Sequence, residues 1–147
     1  MHLFPKADIP VLQVSIGTRV PMSEHVALGR ALSPLRSEGV FILGSGNLAH
    51  NLGKVDFADR YGHVESWTVE FDQWVSEKLE NFDLESLARW AAEAPGAKNA
   101  NPTDDHYTPL LVAAAAAGAD GKPRVLYPHT GFEYGTLSMR CVEFGES

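Results

Sequence analysis

Val40-Phe41-Ile42-Leu43-Gly44-Ser45-Gly46-Asn47-Leu48-Ala49-His50-Asn51 is the stretch on which the reading of this chain turns. Its first four residues are apolar without interruption, which predicts a strand buried on both faces, as in a central parallel sheet. The glycines and polar residues that follow predict a loop at the strand's C-terminal end. Open α/β sheets present reactive side chains at that end.

Upstream, Ile9-Pro10-Val11-Leu12-Gln13-Val14-Ser15-Ile16 reads as a short buried strand, with Pro10 near its start where a missing donor is tolerated. Ser23 can cap a helix whose apolar residues Val26, Leu28, Ala31, Leu32 and Leu35 recur at helical spacing and stop near Gly39. Strand, helix and strand in that order imply a right-handed crossover. The expected fold is therefore α/β, with a mainly parallel or mixed central sheet flanked by helices.

Downstream, residues 44–65 read as a functional loop, because apolar structure resumes on both sides. A helix is predicted from Ser66, with Trp67, Phe71, Trp74, Val75 and Leu79 on one face. Another is predicted from Asp83 through Leu84, Leu87, Ala88 and Trp90, ended by Pro95-Gly96. Tryptophans at such spacing belong to a core rather than to a cofactor platform. Residues 97–105 read as a loop. Thr108 then caps a helix with Pro109 at its first position, running through the alanine tract to Gly118. Strands are expected at 124–127 and 137–144.

At 147 residues the chain fits one core and is too short for two comfortable domains, so residues 1–147 read as a single domain. Twelve basic residues against nineteen acidic ones give a net charge of −7, with no basic cluster to offset it. That argues against nucleic acid or an anionic membrane as partner. No apolar run approaches a bilayer span. With one cysteine, Cys141, an internal disulfide is impossible, and a reducing cytoplasm is the expected location. Cys141 itself reads as a small buried hydrophobe.

Three features could carry chemistry. Gly44-Ser45-Gly46-Asn47-Leu48-Ala49 formally matches G-x-G-x-x-A, the dinucleotide pattern, but no sustained helix follows it. The acidic residues at the required distance, Glu70 and Asp72, fall in a helical pattern instead. His50, among small and polar residues at a strand end, can exchange protons near neutral pH. His106 follows Asp104 and Asp105, a mixed N/O environment that suits iron or zinc, yet no H-x-x-x-H or H-E-x-x-H spacing supplies further ligands. The two aspartates could equally favour a helix start. His2, His25, His63 and His129 are scattered and read as structural or solvated.

Taken together, Phe4-Pro5-x-Ala7-Asp8-Ile9-Pro10-Val11, Leu28-Gly29-Arg30-Ala31-Leu32, Gly44-Ser45-Gly46-Asn47-x-x-His50-Asn51-Leu52, Pro102-Thr103-x-x-His106-x-x-Pro109-Leu110 and Tyr134-Gly135-x-Leu137-Ser138-Met139 form an ordered set. This set closely resembles the C-terminal portion of the DOPA-dioxygenase branch of class III (LigB-type) extradiol ring-cleavage dioxygenases. The resemblance implies ring cleavage of a catechol with non-haem Fe(II), or with Zn(II) in its place. It implies that His50 matches the acid/base histidine and His106 the C-terminal metal ligand. The fold expectation becomes a partial LigB-like domain. Substrate-pocket candidates are Asn101, Ser45 and Asn47.

Two departures from the family pattern shape the expectation. No segment here matches the N-terminal S-H-G-x-P motif that supplies early metal ligands, so the chain is expected to begin mid-domain. The family's H-P-T-x-x-H reads Asn101-Pro102-Thr103-x-x-His106 here, and an amide cannot carry a proton at neutral pH. Expected partners are a catecholic substrate and either a second copy or a second polypeptide that completes the site. The alternative is a catalytically inactive truncated homologue that serves as an oligomerising or interaction domain. Loss of N-terminal strands would expose sheet edge and apolar surface.

Overall fold

The computed structural model describes residues 4–118 and 121–145. Its helices are α1 (Met22–Leu32), α2 (Pro34–Ser37), α3 (Ser66–Asn81), α4 (Leu84–Ala88), α5 (Trp90–Glu93), α6 (Ala97–Ala100) and α7 (Thr108–Ala117). Its strands are β1 (Arg124–His129), β2 (Phe132–Glu133), β3 (Leu137–Ser138) and β4 (Cys141–Gly145). Helices and sheet thus share the chain, in keeping with an α/β class. No helix among the described residues is long and apolar enough to cross a membrane.

Helical periodicity is obeyed where it was strongest. On α3 the buried positions are Thr68, Phe71, Asp72, Val75 and Leu79, a stripe repeating every three or four residues. Phe71 packs edge-on to Trp90 and Tyr107, with Trp74 and Trp67 partly buried around the same cluster, so the tryptophans are core residues. Asp83 caps α4 by accepting a 3.0 Å bond from the Ser86 amide.

Helices α1 and α7 press together because their contact is built from small residues. A Cβ on Gly29 would lie 2.7 Å from the Ala115 methyl and would also strike the Val112 carbonyl. Only hydrogen fits there. Arg36 reaches across to donate a 3.0 Å bond to the Ala117 carbonyl, satisfying one of the acceptors left open at the C-terminus of α7.

Several boundaries depart from the sequence reading. Pro21, whose ring fixes an extended entry, stands at the N-cap of α1, and Ser23 lies inside the first turn. Tyr107 occupies the N-cap of α7, while the Thr108 hydroxyl donates to the Asp104 carbonyl at 2.8 Å. Within 97–105 a helical turn forms at α6, launched from Gly96 at φ +65°. The strand expected over 137–144 divides into β3 and β4.

The sheets are two antiparallel pairs, β1 with β4 and β2 with β3. Register runs Arg124↔Gly145, Val125↔Phe144 and Leu126↔Glu143, then shifts before His129↔Cys141. Pro128 falls within the irregularity, and a residue without an N–H cannot sustain the ladder there. Val142 and Phe144 pack toward the core, leaving alternate residues Cys141 and Glu143 outward. Cys141 is therefore exposed, not buried as its hydrophobic surroundings suggested.

The runs expected as parallel strands, 9–16 and 40–43, form no strand and have no ladder partner among the described residues. Their side chains are open to solvent: Val11 is 83% exposed, Leu12 91%, Phe41 73% and Leu43 66%. A strand that is apolar on both faces needs neighbouring strands and a layer on each side. The described residues do not supply them. Of the scattered histidines, His25 is buried with Nε2 3.2 Å from the Gly17 carbonyl, and His63 and His129 are exposed. His2 lies outside the described residues.

Candidate active site

The loop after residue 43 is pinned from two sides. On one side the His50 amide donates to the Ala100 carbonyl at 2.8 Å, and the Asn101 side-chain amide donates to the Leu48 carbonyl at 2.5 Å. On the other, the Ser138 amide donates to the Ala49 carbonyl at 3.2 Å, the Thr136 hydroxyl donates to the Asn51 carbonyl at 3.2 Å, and His50 forms a β-bridge with Leu137. Asn51 adds a 2.6 Å bond to the Asn99 carbonyl and folds back to accept from the Gly53 amide. Leu48 and Ala49 are buried, which anchors the loop while His50 remains half-buried at its surface.

The glycines of this loop serve close approach rather than phosphate binding. A Cβ on Gly44 would sit 2.6 Å from the Pro109 carbonyl oxygen, and one on Gly46 would collide with the His106 carbonyl oxygen. The Asn47 amide, one of the donors a phosphate cradle would need free, donates at 2.8 Å to that same His106 carbonyl. The G-x-G pattern thus sets the loop directly against the turn that begins α7.

That approach brings His50 and His106 together. Their rings stack with centroids 3.7 Å apart and planes 23° from parallel. Burial, and next the neighbouring His106, lower the His50 pKa below its ordinary value near 6.5, so His50 is held as the neutral imidazole. Asp105 stands on the other side, its Oδ2 3.6 Å from His106 Nε2. The Thr103 hydroxyl, donating to Asp105 Oδ1 at 2.5 Å, keeps that carboxylate ionised and lowers its pKa.

The pocket candidates occupy different settings. Ser45 is exposed and Asn47 half-buried. Asn101 is 3% exposed; its Nδ2 is spent on Leu48, and its Oδ1 has no hydrogen-bond partner. A metal centre needs three or more donors. Among the described residues no three His, Cys, Asp or Glu side chains gather for one.

The pattern for the catalytic LigB subunit of aromatic ring-opening dioxygenases matches residues 1–141. This chain belongs to the LigB family. LigB-family proteins generally use a metal. The chain is 36% identical over 145 residues to a 4,5-DOPA dioxygenase extradiol of Beta vulgaris, covering 98% of this chain and 52% of that protein. It is 35% identical over 152 residues to the protein of the same description from Escherichia coli K12, covering 99% and 53%. The crystal structure of an uncharacterized protein from Escherichia coli K12 superposes with a TM-score of 0.85 at 34% identity, over 95% of this chain and 57% of that one. This LigB-family chain is thus extradiol dioxygenase-like, and it spans about half the length of the curated relatives it matches.

Sequence reasoning singled out the two histidines but missed what holds one of them. Thr136 lies just before the expected strand 137–144, Ser138 belongs to that strand and to the Tyr134–Met139 motif, and Asp72 falls in a helical pattern; none of the three stands out as a support for His50. A signal existed for Asp72: it shares the buried face with Phe71 and Val75, and a carboxylate there requires partners.

Gly46→Ala tests the close approach. Its methyl must displace the His106 backbone, a cost of about 1–3 kcal/mol for an overpacked site. Chemical denaturation should show that loss, and NMR contacts between the two imidazole rings should vanish. Retained ring contacts would show that the loop accommodates a side chain.

Proposed function

We propose that this chain contributes the proton-carrying half of an extradiol ring-cleavage site acting on a catechol, with His50 as acid/base and His106 as one metal ligand. The observation that bears most weight is the stacked pair itself. Two histidines from separate segments of the chain stack with ring centroids 3.7 Å apart. A neutral, half-buried imidazole can take the proton of a catechol hydroxyl and return it later without any redox step of its own. Asp105, within reach of His106, can orient that imidazole through its carboxylate.

The metal in this reading is Fe(II), or Zn(II) in its place, and its further donors come from outside the described residues. Such an ion would supply positive charge beside the ring hydroxyls and favour their ionisation. Ser45, Asn47 and Asn101 are the candidates for substrate contact. Of these, Asn47 lines the same groove as His106, Ser45 is exposed, and the buried Asn101 holds the Leu48 carbonyl.

Completion by further polypeptide has physical support. A groove of about 1450 Å³ is bordered by residues 39–44, 46–48 and 140–145, with Leu110, Ala113 and Ala117 of α7 among its lining and His106 also present. The run 40–43 and strand β4 both line it. The open edge of β4 over an apolar helix face suits the addition of strands.

The second reading is an interaction domain without turnover, favoured by the exposure of Val11, Leu12, Phe41 and Leu43. One experiment separates the two. The chain is loaded with Fe(II), alone and together with a polypeptide bearing the family's S-H-G-x-P portion, and then assayed for metal content and catechol ring opening. The chain alone should bind metal weakly and turn over nothing, and the pair should do both. Tight stoichiometric metal with turnover by the chain alone would overturn the completion argument. An assembled but inactive pair would overturn the enzymatic reading.

A further inference from the structure

A buried charged cluster stands behind the histidine loop and takes no part in the steps above. Asp72, on the core face of α3, has a side chain only 4% exposed. Its Oδ1 accepts the Ser138 hydroxyl at 2.6 Å and Arg140 Nε at 3.0 Å. Its Oδ2 accepts Arg140 Nε at 3.1 Å and Nη2 at 2.5 Å. The Arg140 amide donates to the Ser138 hydroxyl oxygen at 3.3 Å, and the guanidinium lies 4.5 Å from the centre of the Tyr127 ring on β1. One carboxylate therefore joins α3, β3 and the residue that leads into β4.

Strand β3 is only two residues long, and its ladder with β2 consists of two pairs, Phe132↔Ser138 and Glu133↔Leu137. So short a hairpin does not hold its own place in water. Yet Leu137 bridges His50, and the Ser138 amide holds Ala49. On this side of the loop, the position of His50 depends on that of β3. A buried ion pair adds little net stability over an apolar pair of equal volume, but an arginine fork on a carboxylate fixes direction and distance.

We propose that Asp72 is a positioning residue for His50, acting through Ser138 and Arg140 to fix β3 against α3 and so fix the loop that β3 supports. The proposal rests on the proton-carrier reading for its functional meaning; the positional claim is read separately. The test uses the full chain with Asp72→Asn, Asp72→Glu and Ser138→Ala. Amide hydrogen exchange is followed at His50 and Ser138 and, for comparison, at the buried helical residues Leu79 and Ala115. The His50 ring-proton shift, displaced by stacking on His106, is recorded alongside.

Asp72→Asn should accelerate exchange at His50 and Ser138 about tenfold more than at Leu79 and Ala115, the mark of local rather than global opening. The His50 ring shift should move toward that of an unstacked imidazole. Asp72→Glu, which keeps the charge, should recover part of both. In the completed assembly Asp72→Asn should lower kcat about tenfold with KM unchanged, as for a misplaced rather than missing group. Equal acceleration at all four amides would overturn the proposal, because the cluster would then be a general stability element. So would an unmoved His50 signal once the pair is broken. Should Asp72→Asn fail to fold, Ser138→Ala removes a single bond and is judged by the same readouts. Full turnover by His50→Ala would sink the proton-carrier reading and leave the exchange result standing. Unmoved exchange beside an inactive His50→Ala would sink the positioning claim alone.

Discussion

His50→Ala is expected to lower catechol ring opening by roughly 10²–10⁴-fold in the completed assembly, the usual range for removal of a positioned acid/base. The loss should fall on kcat, because an imidazole that moves a proton during reaction contributes little to holding the ground-state substrate. Stability should barely change. The His50 side chain is half-buried and contacts the His106 ring, while the loop itself is held by the backbone bonds to Ala100 and Ser138 and by buried Leu48 and Ala49. Steady-state kinetics, circular dichroism and light scattering on the same samples check all three statements. His50→Gln is the useful companion, since an amide can hydrogen-bond but cannot carry a proton near neutral pH. If Gln restores turnover, His50 only positions the substrate. If neither variant slows the reaction, the proton carrier lies elsewhere. The interaction-domain reading makes the opposite forecast: His50→Ala leaves assembly untouched, and there is no turnover to lose.

How much of this could be read from residues alone depends on the range of the force involved. Helices α3 and α7 were legible because their apolar stripe and alanine tract act within a few residues of each other. The runs 9–16 and 40–43 were legible as strand-like, for their composition is that of strands buried on both faces. Whether they find a neighbour is decided by distant chain, which local pattern cannot supply. The same limit applies at the site. His50 and His106 stood out individually, but their stacking depends on Gly44 and Gly46 lying against the carbonyls of Pro109 and His106. In the sequence those glycines look like half of a phosphate loop. Only the structure shows that the Asn47 amide is spent on His106 and that the hydrogens of both glycines are needed for contact. Asn101 stands where the resembled family pattern has histidine, and its bond to the Leu48 carbonyl lies beyond any motif. Cys141 misled because an apolar neighbourhood in sequence says nothing about which side of a strand faces out.

Tyr107→Ala should cost about 3–5 kcal/mol, the range for deleting a fully buried aromatic. Tyr107→Phe should cost only about 1 kcal/mol. The ring is 0% exposed and lies within 5.1 Å of the Trp90 ring centre and 6.0 Å of Phe71, so truncation opens a cavity lined by three helices. Its hydroxyl donates to the Leu87 carbonyl at 3.1 Å, and burial raises its pKa far above the ordinary tyrosine value, so it remains a neutral donor. Phenylalanine leaves the packing intact and deprives only that carbonyl of a partner. The pair of variants therefore separates ring packing from the hydrogen bond, read as midpoints in urea unfolding. The consequence reaches the site because Tyr107 is the N-cap of α7 and the direct neighbour of His106. His106 is half-exposed while Tyr107 beside it is fully buried. Tyr107→Ala should thus loosen the His106 carbonyl that the Asn47 amide holds, and with it the stacking on His50. Tyr107→Phe should preserve both. A Tyr107→Ala protein that keeps the stacked-ring shift would show that the glycine contacts alone hold the two histidines together.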